Sequence, residues 1–137
     1  MNEVFLDTSF AIALSSVTDQ NHARAVELAN QIESNSIRLV TTQAILLEMG
    51  NALSKQKYRA AAIQLLESLE ADPSVEVVLL TNSLYKLAFD LFKKREDKEW
   101  GLVDCISFIV MQDRGITDAL TTDIHFQQAG FRALLRG

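Results

Sequence analysis

Glu3-Val4-Phe5-Leu6-Asp7-Thr8-Ser9-Phe10 stands near the start of the chain, and its reading decides the fold. Val4 to Leu6 is a short continuous apolar run, the pattern of a strand buried on both faces, and Thr8 to Leu14 continues it as a short helix. Asp7 therefore falls at the carboxyl end of a strand. In open α/β sheets that edge is where ligands bind. An aspartate there also has an ordinary structural use, because its carboxylate can accept hydrogen bonds from the first unpaired N–H groups of the following helix.

The same alternation recurs along the chain. Asp19 or Asn21 can start a helix whose stripe is Ala25, Leu28, Ala29 and Ile32, at the i, i+3, i+4, i+7 spacing of one helical face. Ile37 to Thr41 reads as a second strand, and Thr42 to about Lys55 as a helix. Lys55, Lys57 and Arg59 form a basic connection to a helix carrying Ala62, Leu65, Leu66 and Leu69. Asp72-Pro73 stops that helix, since proline disfavours helix at the preceding residue. Val75 to Leu80 is the third strand. Leu84, Leu87, Ala88, Leu91 and Phe92 repeat the helical stripe, Lys93 to Glu99 reads as a charged loop, and Leu102 to Met111 as a nearly all-apolar, buried helix ended by Gly115. Ala119 to Thr122 is a fourth strand that delivers Asp123, Ile124 to Gln128 one further helical turn, and Phe131 to Leu135 an edge strand. Strands that alternate with helices imply right-handed crossovers, hence an α/β fold with a central, mainly parallel sheet of four to five strands covered on both faces.

With 137 residues and 48% hydrophobic content the chain has the length and core of one domain, 1–137, and no linker is expected. Cys105 is the single cysteine, so no intrachain disulfide can form, and its apolar surroundings predict a core thiol in a reducing compartment such as the cytoplasm. No basic segment followed by a long apolar run marks the N-terminus, and no run approaches membrane-spanning length. A formal net charge of −5 argues against a protein that coats nucleic acid generally. It leaves room for an enzyme that gathers carboxylates around a cation, because the cation then screens both the acids and an incoming phosphate.

Three acids besides Asp7 interrupt or end apolar segments. Glu48 has Ala44, Ile45 and Ala52 as helical neighbours, which puts its carboxylate on a face expected to be packed. Burying an unpaired ion costs several kcal/mol, so Glu48 calls for a cation, a basic partner or an exposed helix edge. Asp104 lies between Leu102-Val103 and Cys105-Ile106, where a capping role is the ordinary alternative. Asp123 is either a turn residue or the mate of Asp7 at the end of a neighbouring strand. Two carboxylates within about 5 Å repel by roughly 3 kcal/mol at an effective dielectric near 20. A four-acid pocket thus calls for a cation, and oxygen-only ligands select a hard one, Mg²⁺ or Mn²⁺.

His22 and His125 are the only histidines, and neither stands near a nucleophile in a recognisable pattern; His22 reads as a surface residue and His125 as part of a helix start. Metal-activated attack of water on a phosphodiester needs only clustered acids, one or two ions, and small polar groups such as Thr8 and Ser9 to orient water or phosphate. Neither a P-loop nor a dinucleotide-binding glycine motif occurs. A phosphatase with an aspartyl nucleophile would carry a second Asp where Ser9 stands.

Phe5-Leu6-Asp7-Thr8-Ser9, Leu47-Glu48 with Asn51-Ala52-Leu53, Leu102-Val103-Asp104-Cys105-Ile106-Ser107-Phe108 and Leu120-Thr121-Thr122-Asp123-Ile124-His125-Phe126 together resemble PIN-domain ribonucleases, and more narrowly the VapC-type toxins of bacterial toxin–antitoxin pairs. The resemblance spans essentially the whole chain. It implies a PIN-like three-layer α/β/α fold and an acidic tetrad of Asp7, Glu48, Asp104 and Asp123 holding Mg²⁺ or Mn²⁺, with Ser9 as an accessory. It further implies endonucleolytic cleavage of RNA, a homodimer, and a VapB-like antitoxin that blocks the site with a basic side chain. One position departs from the family pattern: Gly101 stands where a serine is common, three residues before the third acid. A PIN-fold nuclease of RNA processing or DNA cleavage without an antitoxin would share these residues, as would a binding module of the same fold that lacks activity. Lys55, Lys57 and Arg59, and Lys93, Lys94, Arg95 and Lys98, are candidates to track an RNA backbone, with solvated helix ends as the ordinary reading. Trp100 either stacks a base or closes the core.

Overall fold

The computed structural model describes residues 2–136. In chain order the first half comprises β1 (Glu3–Leu6), α1 (Thr8–Ser15), α2 (His22–Ser34), β2 (Arg38–Thr42), α3 (Gln43–Ala52) and α4 (Gln56–Ala71). The second half comprises β3 (Val75–Val78), α5 (Asn82–Lys94), α6 (Leu102–Arg114), β4 (Asp118–Leu120), α7 (Ile124–Gln128) and β5 (Arg132–Ala133). The five strands form one sheet in the order β3-β2-β1-β4-β5 with every pairing parallel. Helices flank it in the three-layer α/β/α arrangement expected from the alternation.

β1 is the central strand, and its apolar run is fully buried as a strand covered on both faces must be, with Val4 and Phe5 at 0% exposure. After β1 the chain adds β2 and β3 on one side, then returns to add β4 and β5 on the other. The strand order therefore reverses between β1 and β4, which makes their carboxyl ends the topological switch point, where a crevice opens. Leu6 sits opposite Leu120, and the Asp7 amide donates to the Leu120 carbonyl at 3.2 Å, so Asp7 and the residues after β4 start out as neighbours.

Several elements differ in extent from the sequence reading. β3 stops at Val78 rather than Leu80 because it is an edge strand whose last residues turn away: the Leu80 amide donates to the Gln43 side chain at 2.8 Å, and Leu79 is exposed. β4 ends at Leu120, and the expected strand at Phe131 to Leu135 is regular only over Arg132–Ala133, although the Leu134 and Leu135 amides still reach the carbonyls of Ala119 and Thr121. Lys57 and Arg59 lie in the first turn of α4 rather than in a connection, and α5 continues through Lys94, so the charged loop begins at Arg95.

Beneath the crevice lies an aromatic cluster. Phe126 of α7, 0% exposed, packs against Phe5 of β1 at 6.2 Å between centroids and edge-on against Phe108 of α6 at 5.0 Å. Trp100 extends the cluster through Phe108 and donates its indole N–H to the Gln128 side chain at 3.0 Å. It closes the core and presents no ring face for stacking a base. α6 is buried through its middle, from Cys105 to Met111 apart from half-buried Ile109, with its last turn exposed, and ends where Gly115 adopts φ 67°, a left-handed conformation that glycine reaches without a side-chain clash.

Candidate active site

Each acid singled out in the sequence reaches the carboxyl edge of the sheet by a different route. Asp7 follows β1 and occupies the N-cap position of α1, yet its side chain makes no capping hydrogen bond. Instead its Oδ2 accepts the Thr121 hydroxyl at 2.6 Å and the Ser9 hydroxyl at 3.2 Å. Glu48 projects from the second turn of α3, which Thr42 starts by capping the Ile45 amide, and its Oε1 accepts the Thr8 hydroxyl at 2.5 Å. Asp104 sits in the first turn of α6, where its Oδ2 accepts the Gly101 amide at 3.1 Å. Glycine has no side chain for the reciprocal bond of a capping box. Asp123 follows β4 and caps α7 through the His125 amide at 2.9 Å. Capping and site membership are thus combined at Asp104 and Asp123, while Asp7 does no capping.

A continuous set of contacts joins all four. From Glu48 it passes to Thr8, the chain neighbour of Asp7, and from Asp7 to Thr121. The Thr121 hydroxyl, which donates to Asp7, also accepts the Asp123 amide at 3.0 Å. His125 then closes the series, its Nδ1 lying 3.4 Å from Asp123 Oδ1 and 3.0 Å from Asp104 Oδ2. In each carboxylate the side-chain and loop donors hold one oxygen, Oδ2 of Asp7 and Asp104, Oε1 of Glu48 and Oδ1 of Asp123. That leaves a second oxygen per acid for another ligand.

Electrostatics mark the place as unfavourable without one. Burial is the main reason the Asp7 carboxyl is pushed up to about 6. The Thr121 hydroxyl pulls it back, while the charges of Glu48 and Asp104 raise it further. A divalent cation reverses that balance. Asp104, Asp123 and His125 each offer a ligand atom, and these lie within 4.8 Å of one another. The carboxylate oxygens of this group suit a hard divalent ion.

Two residues that the sequence reading left aside are integral here. The sequence places Thr121 only within a strand, but its fully buried hydroxyl bridges Asp7 and the Asp123 amide. His125 looks in the sequence like part of an ordinary helix start. Its i+2 spacing from Asp123 at the head of a helix is the signal that could have found it, since that spacing lets one residue donate its amide to the capping acid and bring its ring back toward the same carboxylate. Thr8 and Ser9 are engaged inward: Thr8 donates to Glu48, and Ser9 accepts the Thr122 amide at 3.0 Å besides reaching Asp7. His22 bonds the Ala13 carbonyl and stands apart from the site.

Of the basic candidates, Arg95 stacks on Trp100 at 4.8 Å and pairs with Asp97 through Nε and Nη2, while Lys98 lies 3.9 Å from the same acid. Lys93 pairs with Asp90 at 3.5 Å, and Arg59 is held by the Ser54 carbonyl. Lys55, Lys57 and Lys94 are exposed, Lys57 lying over the Tyr58 ring.

Known proteins resemble this chain over most of its length. The family model described as PIN domain matches residues 4–132. Over 128 residues the chain is 30% identical to the 23S rRNA-specific endonuclease VapC20 of Mycobacterium tuberculosis, in strains CDC 1551 / Oshkosh and ATCC 25618 / H37Rv, covering 93% of this chain and 95% of that protein. A crystal structure of M. tuberculosis VapC20, described as a sarcin-ricin loop cleaving toxin, aligns with a TM-score of 0.81 at 27% identity, covering 93% of this chain and 95% of the other.

Proposed function

The chain belongs to the PIN-domain family, and from that premise we propose that it is a metal-dependent endoribonuclease, the toxin of a toxin–antitoxin pair, with Asp7, Glu48, Asp104 and Asp123 as its acidic tetrad. The observation that carries this reading is the unbroken contact series that gathers four carboxylates from β1, α3, α6 and the end of β4 at the topological switch point.

Asp7, Asp104 and Asp123 would hold the ion, Mg²⁺ or Mn²⁺. Glu48 would bind a second ion or orient the attacking water. A bound hard cation lowers the pKa of attacking water and neutralises charge on the phosphate. Thr8, Ser9 and Thr121 fix the carboxylates, so that little reorganisation is needed when substrate arrives. Lys55, Lys57 and Lys94 meet the RNA backbone, being the basic candidates least engaged by neighbours.

The RNA that the curated relative's name specifies, 23S rRNA, is the first substrate to offer. The acidic hollow is complementary to a basic side chain of an antitoxin, and we place the protein in the cytoplasm as a homodimer. Among the described residues no helix is long and apolar enough to cross a membrane.

Purified wild type should cleave 23S rRNA in millimolar Mg²⁺ or Mn²⁺ and lose activity in EDTA. Asp7→Asn should lower the cleavage rate by at least about a hundredfold, the scale of losing a group that acts on charge in the transition state, with an unchanged circular dichroism spectrum. Full activity in the variant would end the assignment.

A further inference from the structure

We propose that His125 is a positioning residue of this site, its ring holding Asp104 and Asp123 at the separation a divalent cation requires without ligating the ion itself. The inference rests on the metal-site reading above and adds a residue to it.

Nδ1 of His125 lies between Asp104 Oδ2, at 3.0 Å, and Asp123 Oδ1, at 3.4 Å. Carboxylate oxygens accept hydrogen bonds, so the ring atom between them carries a proton; a bare lone pair there would face two others. With that proton committed, Nδ1 has no electron pair to give a cation. The main chain acts in the same sense, since the His125 amide donates to Asp123 Oδ1 at 2.9 Å. Asp104 Oδ2 receives the Gly101 amide at 3.1 Å as well as the ring. His125 therefore hydrogen-bonds one oxygen of each acid, Asp104 through its ring and Asp123 through its main-chain amide, with the ring nitrogen also 3.4 Å from the Asp123 carboxylate.

The grip is placed by packing. Phe126, the next residue, is fully buried between Phe5 and Phe108, so the ring of His125 is held by an anchored neighbour on a helix only five residues long. Asp104 and Asp123 come from separate elements, α6 and the end of β4, and repel each other. His125 is the contact that joins them directly. Partners one shell out from a metal commonly orient its ligands in this way.

Mn²⁺ binding to the full-length protein, measured by calorimetric titration in the absence of RNA, tests the proposal. His125→Ala should weaken Mn²⁺ binding by about tenfold or more, the usual scale for removing such a partner. His125→Asn places an amide N–H where Nδ1 was and should restore most of the affinity, whereas His125→Gln places its amide at the Nε2 position and should resemble His125→Ala. Wild-type affinity in His125→Ala overturns the proposal, as does rescue by Gln but not Asn, which would mean that the ring works through Nε2. Absence of Mn²⁺ binding in wild type overturns it too. If His125→Ala does not fold, judged by circular dichroism, the Asn and Gln pair decides. Cleavage assays on the same samples separate the two claims. The expected variant pattern in a wild type that cuts no RNA sustains the positioning role and removes the nuclease, while an active wild type with no variant effect removes the positioning role alone.

Discussion

Asp7 carries the largest electrostatic penalty in the site. Its carboxyl is raised from 3.8 to about 6, mainly because the residue is only 7% exposed. A carboxyl raised in the folded state favours folding below its unfolded value and loses that contribution as pH climbs through the folded one. The shift of about two units corresponds to roughly 3 kcal/mol, lost between about pH 4 and pH 7. In EDTA the wild type should therefore be more stable to urea at pH 5 than at pH 7.5, and Asp7→Asn should remove most of that difference; equal slopes in the two proteins would contradict it. Saturating Mg²⁺ or Mn²⁺ should reverse the penalty at pH 7.5 and raise Tm. Asp104→Asn should blunt that rise in a thermal melt.

At the scale of elements, helix starts build the site. α3, α6 and α7 all begin at the carboxyl edge of the sheet, with their positive N-terminal ends close to the acids. Thr42 and Asp123 cap two of them with side chains. α6 is the exception, because Gly101 offers no side-chain acceptor to the Asp104 amide. Its φ of −74° and ψ of 166° suit any L-residue, and a Cβ there would come no closer than 3.9 Å to Asp104 Oδ2. Gly101→Ser should complete the capping box and stabilise the protein by a few tenths of a kcal/mol. Chemical denaturation checks the gain, and a loss of stability would mean that the turn needs glycine for another reason. The departure from the family pattern at Gly101 thus affects the fixing of α6 rather than the acids themselves.

For the molecule as a whole, one aromatic cluster sets the spacing of side chains that lie more than a hundred residues apart. Phe5 lies two residues before Asp7, Phe108 four after Asp104 and Phe126 directly after His125, one ring per element. Phe126→Ala should cost about 3–5 kcal/mol as a buried aromatic truncation, and at temperatures where it remains folded it should weaken Mn²⁺ binding as well. Normal binding in a folded, destabilised variant would mean that the acids are spaced without this support. The sequence by itself determined the class of fold and singled out four acids that the structure links through one set of contacts, because buried strands, helical stripes and acids inside apolar runs are local patterns that burial physics makes legible. It determined little about strand ends at β3 and β5, where pairing at a sheet edge sets the limits. Nor did it determine the roles of Thr121 and His125. A buried threonine and a histidine after an aspartate look ordinary in one dimension. Only the approach of β4 to β1 and of α7 to α6 turns their single donor atoms toward carboxylates more than twenty, or more than a hundred, residues away.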